Sequence, residues 1–265
     1  MKTNLTHENV STEIILGFML QVRSLAKRFE TDRFVFGWDS RKSFRKQIFP
    51  AYKENRVVVT RTEQEVELNR LFRRQFDELR INVLNDLGFS NNFIQTGMEA
   101  DDIVATIVQQ NWENSTIIVT VDSDLYQVLN KNNFMWNPRT KKKYYLDNFV
   151  VDFNIAPFQW STVKAIAGDT SDNINGIDGV GVKNAVKYLR GELGKGAKFN
   201  AISQSTALIE RNLKLVKLPF KGTNKFTIQD DNLTIRDYIQ VCERYGFKSL
   251  LRKDEVDKWN NLFGR

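Results

Sequence analysis

Seven carboxylates of this chain are gathered into three short blocks, Glu99-Ala-Asp101-Asp102, Asp122-Ser-Asp124 and Asp169-Thr-Ser-Asp172. That grouping constrains the fold more than any other feature. Two of the blocks stand where an apolar run stops, the place where an open α/β sheet keeps its chemistry. Asp39, closing Phe34-Val-Phe-Gly-Trp38, adds an eighth carboxylate. Acids converging on one crevice repel one another and call for divalent cations. An oxygen-only ligand set suits magnesium, manganese or calcium rather than zinc.

Each block also has an ordinary structural explanation. Glu99 to Asp102 open a helix and complement its macrodipole. Asp122 is placed to cap a helix, and Asp169 and Asp172 beside Gly168 are placed to form a turn. Several acids at the C-terminal ends of different elements nevertheless favour one shared site. Such a site supports phosphodiester hydrolysis with two metal ions and no side-chain nucleophile.

The protein around the acids is basic, with 39 Lys and Arg against 32 Asp and Glu, a net charge of +7. This favours nucleic acid as the partner over an anionic membrane. One cysteine (Cys242) and one histidine (His7) exclude an intrachain disulfide, a Cys/His zinc site and a Ser-His-Asp triad built on a buried histidine. With no apolar run of about 20 residues and no signal-peptide plan in Met1 to Asn9, the chain is expected in the cytoplasm.

Helical spacing predicts a helix over 11–29, followed by a strand at 34–38. Residues 40–56 carry Arg41, Lys42, Arg45, Lys46, Lys53 and Arg56 among Phe44, Phe49 and Tyr52. They read as a DNA-clamping element or as solvated surface. A long helix is expected over 62–87, a strand at 93–95, a helix at 99–111, a strand at 116–121 and a short helix at 124–129. A terminal hairpin brackets Pro138. Alternating strands and helices give the fold class: α/β, a mostly parallel central sheet with helices on both faces. Beyond a soft boundary near residue 155 the chain turns helical, at 157–167, 182–190, 205–216 and 234–247.

Gly176-Ile-Asp-Gly-Val-Gly-Val-Lys-Asn-Ala185 fits neither the dinucleotide fingerprint nor the Walker loop. It fits a helix–hairpin–helix, in which Gly179 and Gly181 let backbone amides approach a phosphate and Lys183 follows on the second helix. Such a contact positions duplex without reading sequence.

In this order the segments Gly37 to Lys46, Pro50 to Arg56, Gly97-Met-Glu-Ala-Asp-Asp-Ile103, Asp122-Ser-Asp124, Gly168-Asp-Thr-Ser-Asp-Asn173 and the glycine hairpin resemble the 5′-nuclease, or flap endonuclease, family. That family includes stand-alone phage 5′-exonucleases and the 5′-nuclease domain of bacterial DNA polymerase I. The resemblance implies a PIN-like nuclease core over 1–154 with a helical arch at about 40–87. It also implies a helical region over 155–265 with the helix–hairpin–helix at about 165–190. Asp39, Glu99 and Asp101 would serve one metal ion, with Asp102 close by. Asp122, Asp124, Asp169 and Asp172 would serve the second. Lys53 and Arg56 match the arch cations that contact the scissile phosphate. Arg41, Lys42, Arg45, Lys46, Gly179, Gly181 and Lys183 would bind DNA. Implied cofactors are two Mg²⁺ or Mn²⁺, with K⁺ at the hairpin. Implied substrates are duplex DNA with a 5′ flap or nick and RNA–DNA primer junctions, handled by a monomer in replication or repair.

One departure stands out. The family begins with an apolar strand ending in a metal-binding aspartate, and Met1 to Asn9 contains neither strand nor aspartate. Three explanations follow: a natural N-terminus missing from this chain, a weakened first metal site, or a strand supplied by another polypeptide. The second would leave a branched-DNA-binding module that cuts poorly.

Overall fold

The computed structural model describes residues 6–7, 10–56 and 62–264. The first elements are β1 (Thr6–His7), β2 (Val10–Ser11), α1 (Glu13–Phe29), β3 (Phe36–Trp38), α2 (Arg45–Ile48), α3 (Glu63–Glu78), α4 (Leu84–Asp86), β4 (Asn92–Ile94), α5 (Ala100–Gln110) and β5 (Thr116–Val119). Then come β6 (Asn133–Asn137), β7 (Lys142–Tyr145), α6 (Leu146–Phe153), α7 (Trp160–Ala167), β8 (Gly168–Asp169) and β9 (Ile174–Asn175). The remainder is helical: α8 (Val182–Leu189), α9 (Ala197–Gln204), α10 (Thr206–Val216), α11 (Ile235–Arg244) and α12 (Lys253–Phe263).

The chain packs as two compact units: Met1–Phe36, Val59–Phe93 and Thr227–Arg265 in one, Gly37–Val58 and Ile94–Phe226 in the other. These do not coincide with the division expected at 154/155. The physical reason is the C-terminal pair α11 and α12, which bury Tyr238, Val241, Cys242, Trp259 and Phe263 with the first unit.

In that first unit α1 buries Ile15, Met19, Val22 and Ala26, one apolar stripe at helical spacing. Helix α3 starts at a capping box between Thr62 and Glu65. It runs through a π turn at Leu79–Val83 into α4. The expected helix over 62–87 is therefore present, with Leu79, Val83, Leu84 and Leu87 buried. Gly88 ends it at φ +93, where an added Cβ would lie 2.0 Å from the Asn232 carbonyl oxygen. Aromatic rings close the core: Tyr238 stacks on Trp259 at 4.3 Å, and Phe89 meets Phe263 edge-on at 6.1 Å.

The second unit holds the three-stranded sheet β5-β6-β7, with β5 parallel to β6 and β6 antiparallel to β7. Its core joins Ala105 and Val108 of α5 to Ile118, Leu125, Met135, Phe149, Trp160, Val163 and Ile166. The class is α/β as expected, although among the described residues the strands pair in separate short ladders, β1-β2, β3-β4, β5-β6-β7 and β8-β9. Thr6–His7 pairs antiparallel with Val10–Ser11, which corrects the expectation of no strand before residue 10. Residues 1–5, 8–9 and 57–61, the last within the expected arch, lie outside the described residues. No helix among the described residues is long and apolar enough to cross a membrane.

A buried ion pair ties the second unit together. Arg45, 2 % exposed, donates from both terminal nitrogens to Asp102, 0 % exposed, at 2.7 and 2.8 Å. Its Nε donates to the Leu215 carbonyl oxygen at 2.7 Å. Asp102 also accepts from the backbone N–H of Phe220 at 2.8 Å and of Glu99 at 3.0 Å. Every lone-pair direction of that carboxylate is thus used, and two segments distant in sequence, α2 and 215–220, are locked to α5. Removing one partner of such a pair strands a buried charge at about 3–5 kcal/mol. Asp102→Ala and Arg45→Ala should each lose that much in urea unfolding, and a loss below about 1 kcal/mol would contradict this role.

Candidate metal centre

The crevice that collects the acids lies wholly in the second unit and measures about 180 Å³. It is lined by Asp39, Glu99, Asp101, Asp122, Asp124 and Asp172, with Tyr52, Lys53 and Arg56 among the remaining walls. Each acid reaches it from the end of an element. Asp39 follows β3, and its Oδ1 accepts the N–H of Ala100 at 2.8 Å. Glu99 is the N-cap of α5 and Asp101 sits in its first turn. Asp122 follows β5 and accepts the N–H of Asp124 at 2.9 Å. Asp169, which adjoins Asp124 and Asp172 without itself lining the crevice, caps the turn at 170–172, accepting from Ser171 N–H at 2.8 Å and Ser171 O–H at 2.6 Å. Asp122 and Asp169 thus do cap backbone, as the structural explanation requires, and Asp39 does so as well. Capping engages Oδ1 in each case; Oδ2 of Asp169 accepts from Lys164 at 2.5 Å.

Asp124, Asp169 and Asp172 each offer one oxygen within 4.8 Å of the others. Lys164, on the last turn of α7, bridges two of them, 2.9 Å from Asp124 Oδ1 and 2.5 Å from Asp169 Oδ2. Tyr52, 2 % exposed, donates its hydroxyl toward Glu99 Oε2 (3.0 Å) and Asp172 Oδ2 (2.9 Å). Lys53 Nζ lies 2.8 Å from Glu99, and Arg56 Nη2 lies 2.6 Å from Asp172 Oδ1.

The loop carrying these cations is fastened to the turn at 170–173. Lys53 N–H donates to the Asp172 carbonyl at 2.9 Å, Asn55 to the Thr170 carbonyl at 2.6 Å and Arg56 Nε to the Ser171 carbonyl at 3.1 Å. Lys53 takes φ +54, a left-handed conformation rarely adopted by lysine and stored here at the rim of the crevice.

Electrostatics show that the acids crowd one another. Burial, then the charges of Asp122, Asp39, Asp124 and Glu99, push the Asp101 carboxyl up to about 7. Burial pushes Asp124 up to about 6 against the pull of Lys164. Asp169 moves the other way: burial opposes ionisation, but Lys164 and Ser171 hold its carboxyl below the ordinary range. Buried Asp124 Oδ1 has no well-directed hydrogen bond despite the nearby ammonium. Oxygen donors only, raised carboxyl pKa values and an under-served buried oxygen all fit divalent cations.

Two expected site residues are committed to each other instead: Arg45 borders the crevice, but its guanidinium is paired with Asp102. Asp102 does not face the crevice, because its oxygens are consumed by Arg45, Glu99 N–H and Phe220 N–H. Arg45 is correspondingly unavailable to DNA, being buried in that pair. Arg41, Lys42, Lys46 and Lys183 are exposed. Gly179 takes φ +72, and an added Cβ at Gly179 or Gly181 would meet nothing within 4 Å. Sequence reasoning missed Lys164 and the bridging role of Tyr52. The available signals were a lysine five residues before Asp169 and a tyrosine adjoining Lys53.

Fold and crevice together define an α/β protein with an oxygen-only cation site. The chain belongs to the 5′-3′ exonuclease family: residues 1–154 match the model of its N-terminal, resolvase-like domain. It is 30% identical over 247 residues to a 5′-3′ exonuclease of Halalkalibacterium halodurans, covering 91% of this chain and 77% of that one. It is 28% identical over 231 residues to DNA polymerase I of Mycobacterium leprae, covering 80% of this chain but 24% of the polymerase. The chain thus spans about a quarter of that relative's length. Among solved structures, the T5 D15 protein co-crystallised with metal ions aligns with a TM-score of 0.68 at 25% identity, covering 92% of this chain and 88% of that one.

The raised Asp101 carboxyl sets a pH dependence. The folded state binds this proton more tightly than the unfolded state, so the stabilisation is present below the ordinary value of 3.8 and is lost as pH rises through about 7. In EDTA, Asp101→Asn should therefore raise the melting temperature at pH 8 by several degrees, at about 2–4 °C per kcal/mol. The gain should shrink at pH 5. Thermal melts at the two pH values check this, and equal shifts would contradict it.

Proposed function

We propose that this chain is a divalent-metal-dependent, structure-specific 5′-3′ exonuclease and flap endonuclease that hydrolyses phosphodiesters of branched or nicked DNA and of RNA primers. The observation that carries the reading is the crevice itself, with mutually repelling carboxylates on strand and helix ends and a rim of Lys53 and Arg56. Mg²⁺ or Mn²⁺ held by Asp39, Glu99 and Asp101 on one side, and by Asp122, Asp124, Asp169 and Asp172 on the other, would supply an acidified water and charge stabilisation at the leaving oxygen.

The chain's own groups do the positioning. Tyr52 fixes the separation of Glu99 and Asp172. Lys164 holds oxygens of Asp124 and Asp169 toward one point. Lys53 and Arg56, now paired with acids, are placed to exchange those contacts for oxygens of the scissile phosphate. Arg41 and Lys42 on the preceding loop, with Lys46 on α2, bind the backbone of the arriving strand. Gly179, Gly181 and Lys183 cradle a duplex phosphate at the start of α8, with K⁺ as the ion suited to the hairpin. The protein acts as a monomer in the cytoplasm of a bacterial or phage-infected cell, in replication or repair.

The test uses a labelled 5′-flapped duplex with Mg²⁺. Asp122→Asn and Asp169→Asn should each slow release of 5′ products by more than the roughly 10–100-fold seen for an outer partner of a metal ligand. Mobility shift in EDTA should show binding retained. Cleavage at the unsubstituted rate would end this reading. Lys53→Ala should lower turnover at saturating substrate more than it weakens binding, since its contact is made at the reacting phosphate.

A further inference from the structure

Between Asp124 and Asp147 the chain carries no acid, yet it holds five cations, Lys131, Arg139, Lys141, Lys142 and Lys143. Four of them crowd the β6–β7 hairpin, and neither the crevice nor the glycine hairpin uses them. The parallel register of β5 and β6 places them. Val119 lies opposite Trp136, and the N–H of Thr120 donates to the Trp136 carbonyl at 3.0 Å. Both strands therefore end at one edge of the sheet. At that edge β5 delivers Asp122 and Asp124 to the crevice, and β6 turns at Pro138 into the basic tip.

The tip is a built turn rather than a loose loop. Asn137 Oδ1 accepts the N–H groups of Arg139 (2.9 Å) and Thr140 (3.0 Å), and the Lys141 N–H returns to the Asn137 carbonyl at 2.8 Å. Lys141 takes φ +55 to close it. Arg139, Lys141, Lys142 and Lys143 are all exposed. Cross-strand pairing aligns Phe134 with Tyr145 and Trp136 with Lys143. The Lys143 ammonium lies 4.9 Å from the centre of the Phe134 ring, and Phe134 and Tyr145 are 5.0 Å apart. A cationic tip continuing into exposed Lys143 and Tyr145 beside half-buried Phe134, with Trp136 buried beneath, has the composition of a surface that follows a nucleic-acid backbone.

We propose that the β6–β7 hairpin is a further nucleic-acid-binding surface, in which Arg139, Lys141 and Lys142 hold backbone phosphates beside the crevice. It rests on the nuclease reading above and adds to it a contact one strand away from the cutting centre. The contact is to phosphate, so it is independent of base sequence and strongly dependent on salt.

The experiment measures affinity of the full chain for a 5′-flapped duplex by fluorescence anisotropy in EDTA, at several salt concentrations. The triple variant Arg139→Ala, Lys141→Ala, Lys142→Ala should bind about 10–30-fold more weakly near 0.1 M salt. The slope of log affinity against log salt should fall by about 2–3, at roughly 0.9 for each lost phosphate contact. The charge-preserving pair Lys141→Arg, Lys142→Arg should keep the slope. A purely structural role for the hairpin would leave the slope of the folded fraction unchanged. If the triple variant does not fold, Lys141→Gln with Lys142→Gln should lower the slope by about 1–2. An unchanged slope in the folded variants would overturn the proposal, as would reduced binding to anionic vesicles with DNA affinity intact. A wild-type chain that neither binds nor cuts would remove the nuclease reading itself; one that does both beside an unaffected variant would remove only the hairpin assignment.

Discussion

The candidate site depends on the pairing of Arg45 with Asp102. Mutually repelling carboxylates drawn to one crevice oppose folding, and something apart from them must hold their elements in register. The pair does this by linking α2, the first turn of α5 and the segment 215–220 through bonds of 2.7–3.0 Å. Because both groups are almost completely buried, the interaction is little screened by salt. The acids facing the crevice can then remain frustrated without dispersing.

That frustration is a resource. Asp101 and Asp124 are held where their charged forms are disfavoured, and the energy involved is recovered when a cation arrives. Lys53, Arg56 and Lys164 neutralise part of the charge meanwhile. Their partners are the same oxygens a metal would use. Substrate and cation can therefore exchange places with internal ion pairs at little cost in net charge. Asp39, Asp122 and Asp169 add economy by capping backbone with one oxygen each.

Much of this was legible in the sequence because strand ends are marked by abrupt changes in polarity. Asp122 after Thr116–Val119, the helix opened by Glu99 and the hairpin around Pro138 all stand where the pattern places them. Asp102 was misread because neighbours in a helix differ by about 100° in direction, so Asp101 can face the crevice while Asp102 faces the core. Arg45 was hidden in a run of cations, among which nothing in the spacing separates the one that is buried. Helices α6, α9 and α12 were not read from the sequence, although α12 is as long as α5 and α10, which the spacing did declare. The assignment of residues after Thr227 to the unit containing α1 depends on long-range burial that no local pattern encodes.

The central claim is that these acids gather around divalent ions. Anomalous diffraction from crystals of the protein equilibrated with Mn²⁺ tests it most directly. The account expects strong peaks at the crevice, one bounded by Asp39, Glu99 and Asp101, the other by Asp122, Asp124, Asp169 and Asp172, with Lys164 displaced from at least one acid. Crystals saturated with Mn²⁺ that show no peak there, and Lys164 still bridging Asp124 and Asp169, would contradict it.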